Sequence, residues 1–401
     1  MKDGKRGAGV SHYADLTIYG CLAALLTAQW WISRELLRSA GRRWRGWKRA
    51  SARVAIYLFG GAAAGCYVVS FLPLAVTFPR AVEPIRTILG GAVLAYSACA
   101  AVAVCVCLAV RALRKHLNAE TDGGRRRALN VAGALALASP FVVLGYGALV
   151  ERTDFRVREI DVPLPGLPAD LEGLRVAQLS DIHLSVFLSE RELARAIDAA
   201  NELRPHVAVI TGDLITVGSD PLDTCIRQLA RLKADAGVFG CMGNHERFAR
   251  VENYTSRAAA ALGIPFLRGG RRQLRFGGSI LNLAGVDYQA FPDKRDYLRG
   301  AERLIVPGAC NVLLSHNPDV FPVAARQGWN LQLSGHTHGG QVAIEIFDQA
   351  ITPARFFTPY VYGLFRSGAS AAYVTRGIGT LGIPVRIGAP PEIVLLRLRK
   401  A

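Results

Sequence analysis

The sequence predicts an α/β domain with a partly mixed sheet, preceded by an all-α membrane region of four helices. Three observations lead there: four apolar stretches of membrane-spanning length in the first 150 positions, a change of texture at residue 151, and short β-branched runs alternating with helical periods after it.

At 401 residues the chain is long enough for more than one domain. Its net charge of +17 divides unevenly, +13 over residues 1–150 and +4 over residues 151–401. The expected spans are Leu16–Ser33, Val54–Phe78, Ile88–Val110 and Ala128–Val150, each near the roughly 20 residues a helix needs to cross a bilayer. No charged residue interrupts Ile88–Val110, which argues against buried helices of a soluble core. The first stretch is the weakest, with Asp15 at its edge and Gln29 inside it. It lacks a clear small-residue cleavage pattern and is expected to be an uncleaved span rather than a signal peptide.

The loops carry unequal charge. Residues 34–53 hold eight Lys/Arg and residues 111–127 hold six, whereas residues 79–87 hold only Arg80 and Arg86. The positive-inside rule places the two basic loops in the cytoplasm and everything after residue 150 outside it, as part of an integral protein of the inner (cytoplasmic) membrane. Lys2, Lys5 and Arg6 argue weakly the other way. Trp44 and Trp47 among the arginines suit a membrane interface better than a nucleic-acid patch, so the bilayer and not nucleic acid is the expected partner. Five of the eight cysteines lie in the apolar spans. Cys225, Cys241 and Cys310 are too few and scattered for a metal cluster or a disulfide framework, with room for at most one disulfide.

Residues 151–172, charged and then proline-spaced, suit a juxtamembrane linker entering a first edge strand. Residues 173–401 form the expected chemical domain. Strands are predicted at "LRVAQLSD", "VAVITGD", "GVFGCMGNH", "SILNLAGVD", "NVLLSHNPD", "LQLSGHTH", "QVAIEIF", "AAYVTRGIG" and "EIVLLRLR", with helices near 189–203, 221–233 and 252–262.

Strand ends carry the chemistry. They supply Asp181 and His183, then Asp213, then Asn244, His245 and Glu246, then His316, and finally His336 and His338 in "SGHTHGGQ". In an α/β sheet the carboxyl ends of strands form one rim, where ligands bind. Five of the six histidines after residue 150 fall in these motifs; His206 lies at a strand entry and is assigned a structural role, as are His12 and His116. Oxygen and imidazole groups without thiolate suit Mn, Fe or Zn in a catalytic role, with Mn favoured. Gly335, Gly339 and Gly340 would let a tight turn aim two neighbouring imidazoles at different metals. A carboxylate such as Asp213 could bridge two cations roughly 3.5 to 4 Å apart, a geometry that clamps attacking and leaving oxygens in phosphoryl transfer.

The order "SDIH … TGD … GNHE … SHNPD … SGHTHGG" resembles the calcineurin-like metallophosphoesterase family over about residues 155–399. With "TRGIGTLGIPVRIGAPPEIVLL" it is similar to a membrane-associated bacterial subgroup and to transmembrane proteins with a metallophosphoesterase domain. The resemblance implies a four-layer α/β/β/α sandwich of two mixed sheets. It implies one metal on Asp181, His183, Asp213 and His338, and a second on the shared Asp213 with Asn244, His316 and His336. His245 would contact the phosphate and help the leaving oxygen depart, and Glu246 would orient His245. The expected reaction is hydrolysis of a phosphodiester or pyrophosphate by a hydroxide bridging the two metals, with no protein nucleophile.

Arg376 and Arg386 are candidates to grip a second phosphate or carboxylate. The aromatic residues of 355–365 are expected to pack against the sandwich rather than dip toward lipid. A catalytic domain on a short linker beside membrane spans suggests a lipid-linked or membrane-surface substrate. A cytoplasmic lipid-precursor pyrophosphatase would need the opposite topology. A non-catalytic scaffold or transporter is disfavoured by the complete ligand set and by the near absence of intramembrane charge.

Overall fold

The computed structural model describes residues 6–71, 83–116, 123–290, 294–346 and 349–401. The chain falls into two compact units, Met1–Leu144 and Gly145–Ala401.

The first unit is all helical: α1 (Arg6–Arg43), α2 (Gly46–Phe71), α3 (Glu83–His116) and α4 (Gly123–Leu149), whose last turn lies in the second unit. Among the described residues three helical segments are long and apolar enough to cross a membrane: Gly46–Val69, Ile85–Leu113 and Gly123–Thr153. The stretch expected to supply a fourth span lies within α1, but the side chains of residues 6–19 and of Cys21 are outside the described residues. The end of the second expected span, residues 72–78, also lies outside them.

In the second unit, Glu151–Thr153 makes a 3-10 turn before β1 (Arg156–Leu164). Then follow β2 (Arg175–Leu179), α5 (Glu190–Glu202), β3 (Val207–Ile210), α6 (Leu222–Leu229), β4 (Val238–Gly240), α7 (Asn244–Phe248) and α8 (Glu252–Ala261). The rest comprises β5 (Gly270–Phe276), β6 (Ser279–Gly285), β7 (Cys310–Leu314), α9 (Phe321–Gln327), β8 (Leu331–Ser334), β9 (Ile344–Ile346), β10 (Gln349–Ile351), β11 (Gly363–Ser367), β12 (Ser370–Val374) and β13 (Glu392–Lys400). Ser189 opens α5 with a reciprocal capping box: its hydroxyl accepts from the Glu192 N–H while the Glu192 carboxylate accepts from the Ser189 N–H.

Both large sheets are mixed. The first runs β1-β13-β2-β3-β4, parallel except at β13/β2, and the second runs β11-β12-β8-β7-β6-β5, with antiparallel pairs at its two edges. Alternation along the strands builds the layers. Val207 and Val209 of β3 face a core shared with Leu281, Val312 and Leu333 of the second sheet. Ala208 and Ile210 face the opposite way, onto Leu193 and Ile197 of α5 and Ile226 of α6. Beyond the second sheet, Ala284 and Leu313 pack against Ala324 of α9 and Trp329. Helices, sheet, sheet and helix thus give the α/β/β/α sandwich. β5 and β11, absent from the expected list, are edge strands whose arginines and exposed faces weaken the apolar signal.

The three extramembrane cysteines are free and buried, with no disulfide among them. Burial pushes the Cys225 and Cys241 thiols well above their usual range and Cys310 up to about 12. His206 Nδ1 accepts the Arg175 N–H at 2.9 Å, a structural role as expected.

Candidate metal centre

The five parallel strands β2, β3, β4, β7 and β8 all release their chains at one rim where the two sheets meet, and each release carries a motif. Asp181, His183, Asp213, His336 and His338 all adopt positive φ, between 47° and 79°. For non-glycine residues that conformation costs about 1 kcal/mol or more apiece, and five together mark a site the surrounding fold over-determines. In "SDIHL" the consequence is a clean division, with Asp181 and His183 at the rim while Ile182 and Leu184 are sunk in the core. In the opening after β8, Gly339 and Gly340 take left-handed conformations as anticipated. Gly335 is needed for a different reason: a Cβ there would collide with Ser180 Oγ and the Asp181 carboxylate.

Three groups bring candidate ligand atoms within 4.8 Å of one another: Asp181/His183/His338, His183/Asp213/His245 and Asp213/His316/His336. Asp213 joins them, its Oδ2 lying 3.6 Å from His183 Nε2 and 3.0 Å from His316 Nε2. Asp181 Oδ1 stands 3.5 Å from His338 Nε2 and 3.9 Å from His316 Nε2. Asn244 Oδ1 lies 2.8 Å from His336 Nδ1, and Asp181 Oδ1 also accepts the His336 N–H at 2.9 Å.

These residues are fit for a divalent cation on grounds of their own. Asp181 Oδ2, His183 Nε2 and both ring nitrogens of His338 are buried without a hydrogen-bond partner among the described residues. Left so, each would cost on the order of 1–3 kcal/mol. The opposite nitrogens are anchored: His183 Nδ1 is 3.0 Å from Thr216 Oγ1, His316 Nδ1 is 2.6 Å from the Thr211 carbonyl, and His245 Nδ1 is 2.7 Å from the Thr216 carbonyl. Such anchoring assigns the Nδ1–H tautomer to His316 and His245 and leaves Nε2 facing inward, the arrangement usual behind metal-binding imidazoles. Burial drives the His183 and His338 pKa values well below the usual imidazole range and His336 to about 4, so their lone pairs are open at neutral pH. Burial opposes ionisation of Asp213, but His316 and the other imidazoles hold its carboxyl far below the usual carboxylate range.

The sequence profile of the calcineurin-like phosphoesterases matches residues 174–340. An uncharacterized metallophosphoesterase of Bacillus subtilis is 31% identical over 278 residues, covering 67% of this chain and 93% of that protein. The chain belongs to the calcineurin-like phosphoesterases. It is therefore a metal-dependent phosphoric ester hydrolase, and the family and the His/Asp clusters together indicate a dinuclear divalent-cation site. It is also 32% identical over 279 residues to the zebrafish (Danio rerio) transmembrane protein with metallophosphoesterase domain, and 30% identical over 247 residues to an uncharacterized metallophosphoesterase of Campylobacter jejuni. Those matches span 62% and 63% of the two relatives' lengths. Three apolar helices and relatives named as transmembrane proteins make this phosphoesterase membrane-associated.

Two expectations about the site residues of this phosphoesterase change. Glu246 does not orient His245: its carboxylate accepts the N–H groups of Asp213 at 3.0 Å, Gly243 at 2.7 Å and Leu214 at 2.6 Å. It ties the loop after β3 to the loop after β4, and Thr216 holds the His245 ring instead. Burial and the neighbouring Asp213 carboxylate raise its pKa despite those bonds. Glu246→Ala is expected to lower stability by about 3 kcal/mol or more, through three N–H groups losing their acceptor, and a thermal shift of the detergent-purified protein checks it.

Arg386, proposed to touch substrate, is fully buried and donates to the carbonyls of Ala389 at 2.8 Å, Arg376 at 2.9 Å and Gly379 at 3.1 Å. It braces the glycine-rich loop whose Ile378 and Gly379 N–H groups bond the carbonyls of Ser180 and Asp181. Arg386→Ala should therefore destabilise this unit by about 3 kcal/mol or more rather than weaken substrate binding alone, which a comparison of thermal midpoint with KM distinguishes. Arg376 is also buried, its guanidinium 4.0 Å over the Tyr362 ring.

Sequence reasoning missed Thr216 and Tyr288. The Tyr288 ring lies 5.5 Å from that of His336 and 5.9 Å from that of His316, with its hydroxyl 3.5 Å from His336 Nε2. Burial and Asp213 push its pKa up to about 12, so it remains a hydrogen-bond donor at neutral pH. It follows β6, parallel to β7, and the rule that located the other site residues at strand ends applies equally to "AGVDY".

Proposed function

We propose that the protein hydrolyses a phosphodiester or pyrophosphate bond of a lipid-linked or membrane-surface substrate, with two divalent cations, manganese favoured. The observation that carries the reading is the Asp213 carboxylate shared between two groups of buried imidazoles. In this reading Asp181, His183, Asp213 and His338 hold one ion, and Asp213, Asn244, His316 and His336 the other. Ions held there would supply Lewis acidity to a phosphoryl oxygen and lower the pKa of water. His245, kept in place by the Thr216 carbonyl, directs Nε2 inward and, protonated, delivers the proton that the leaving oxygen needs. Tyr288 offers its O–H to a phosphoryl oxygen on the His336 side. Seclusion of the buried carboxylates and imidazoles from water strengthens each of these interactions.

A membrane-surface substrate is supported by the loop around 351–362. Its aromatic residues were expected to pack inward, yet Phe356 is 90% and Phe357 83% exposed. The loop is fastened beside the site, since the Thr337 hydroxyl donates to the Val361 carbonyl and Thr352 Oγ1 to the Gly340 carbonyl at 3.4 Å. Two exposed rings on a pinned turn are suited to entering lipid. Phe356→Asp with Phe357→Asp should lower turnover on vesicle-embedded phosphodiesters by about tenfold or more while leaving bis(4-nitrophenyl) phosphate turnover unchanged. Equal losses on both substrates would remove the support.

The charge asymmetry supports an extracytoplasmic site. Between Arg53 and Arg111 the chain passes through α2 and α3, and α4 then crosses once more, so the inference does not depend on α1. An alkaline phosphatase fused after Ala401 should be active and one fused near Arg125 inactive; the reverse would place the site in the cytoplasm.

A further inference from the structure

A cavity in the membrane unit lies far in sequence from the phosphoesterase motifs. It measures about 940 Å³ and is bordered by α1 and α2. Arg34 and Arg38 of α1 and Arg49 and Arg53 of α2 line it, and among the described residues no Asp or Glu does. Each arginine pair is spaced i,i+4, which puts its members on one helix face. Only Trp44 and Arg45 separate the two helices, so the four guanidinium groups meet at the same end of the hairpin. Below them Trp30, Tyr57 and Gly61 belong to an apolar wall.

We propose that this groove binds an anionic phospholipid, its phosphate at the four arginines and an acyl chain against Trp30 and Tyr57. Topogenic charge accounts for a basic loop but not for the convergence of four like charges on one cavity, since Arg45 and Lys48 of the same loop do not line it. The nearest acid gives little relief: Glu35 accepts from Arg38 at 2.7 Å and from Arg111 at 3.1 Å, one carboxylate for two cations. Arg34 already lies 5.2 Å over the Trp30 ring, and a planar guanidinium on an aromatic face leaves its edge donors for a phosphate. At a membrane interface, where water screens less than in bulk, this arrangement favours a headgroup of net negative charge over a zwitterionic one, whose own cation the arginines repel.

Native mass spectrometry of the full-length protein in detergent micelles containing phosphatidylglycerol or phosphatidylcholine tests the proposal. The wild type should retain phosphatidylglycerol by roughly tenfold or more over phosphatidylcholine. Arg38→Gln with Arg49→Gln should abolish that preference. So should Gly61→Phe, which fills the groove with every charge kept and whose Cβ meets nothing within 4 Å. Arg45→Gln with Lys48→Gln removes equal charge outside the cavity and should leave the preference intact. Equal retention of both lipids by the wild type, or an equal loss in the Arg45/Lys48 control, would overturn it. Displacement of the lipid by millimolar inorganic phosphate would assign the groove to a soluble anion and overturn it as well.

Discussion

Asp213→Asn is expected to lower metal-dependent phosphodiester hydrolysis by about 10³-fold, equivalent to roughly 4 kcal/mol of transition-state stabilisation, while the protein remains folded. The substitution keeps the side chain's shape and an oxygen for the His245 N–H, which the Asp213 carboxylate accepts at 2.9 Å. It removes the charge that joins the His183 side to the His316 side, at 3.6 and 3.0 Å. Metal content should fall with activity, since neutral asparagine is a poor bridge between two cations. A retained cooperative unfolding transition beside the lost activity separates this from unfolding. Wild-type turnover in Asp213→Asn would refute the bridging role.

Cation affinity should climb steeply with pH. Burial pulls the His316 pKa down, but the Asp213 carboxylate beside it pulls harder and carries it up to about 10. His336, by contrast, is lowered to about 4, chiefly by burial. With no cation bound, His316 therefore carries a proton between those values while His336 does not. A metal ligand must be neutral imidazole, so binding expels that proton, and affinity gains about tenfold per pH unit over the interval. Between pH 6 and pH 8 the dissociation constant of Mn²⁺ should fall by roughly a hundredfold, measured by competition with a chelator of known affinity. Below about pH 4 the dependence should steepen as His336 also takes up a proton. A flat profile between pH 6 and 8 would mean that the His316–Asp213 pair is not where the ion binds.

Much of the site was legible because its residues obey a local rule. A polar residue just beyond a parallel strand must lie at the rim, and Asp181, His183, Asp213, Asn244, His316, His336 and His338 all satisfy it, as does Tyr288, which was overlooked. What stayed hidden depends on long-range pairing. Glu246 lies in a site motif, yet two of its three partners are backbone N–H groups 32 and 33 residues earlier, which no spacing encodes. Arg386 was attractive as a lone cation among glycines, but its carbonyl partners form only once the tail folds back over Gly377–Gly379. Aromatic content alone did not separate Phe356 and Phe357, which stand in solvent, from Tyr360, which packs edge to face against Phe321 and Phe365. β1 is an edge strand as expected, but its parallel register with β13, from Arg156↔Glu392 to Leu164↔Lys400, joins segments more than 230 residues apart and has no local signature.

The most direct test of the central claim is a titration of chelator-treated, detergent-purified full-length protein with Mn²⁺, following metal bound per chain and bis(4-nitrophenyl) phosphate hydrolysis together. A dinuclear site centred on Asp213 predicts that activity appears only as the second ion binds and that Asp213→Asn fails to hold both. Full activity at one ion per chain, or hydrolysis that survives excess chelator, would contradict it.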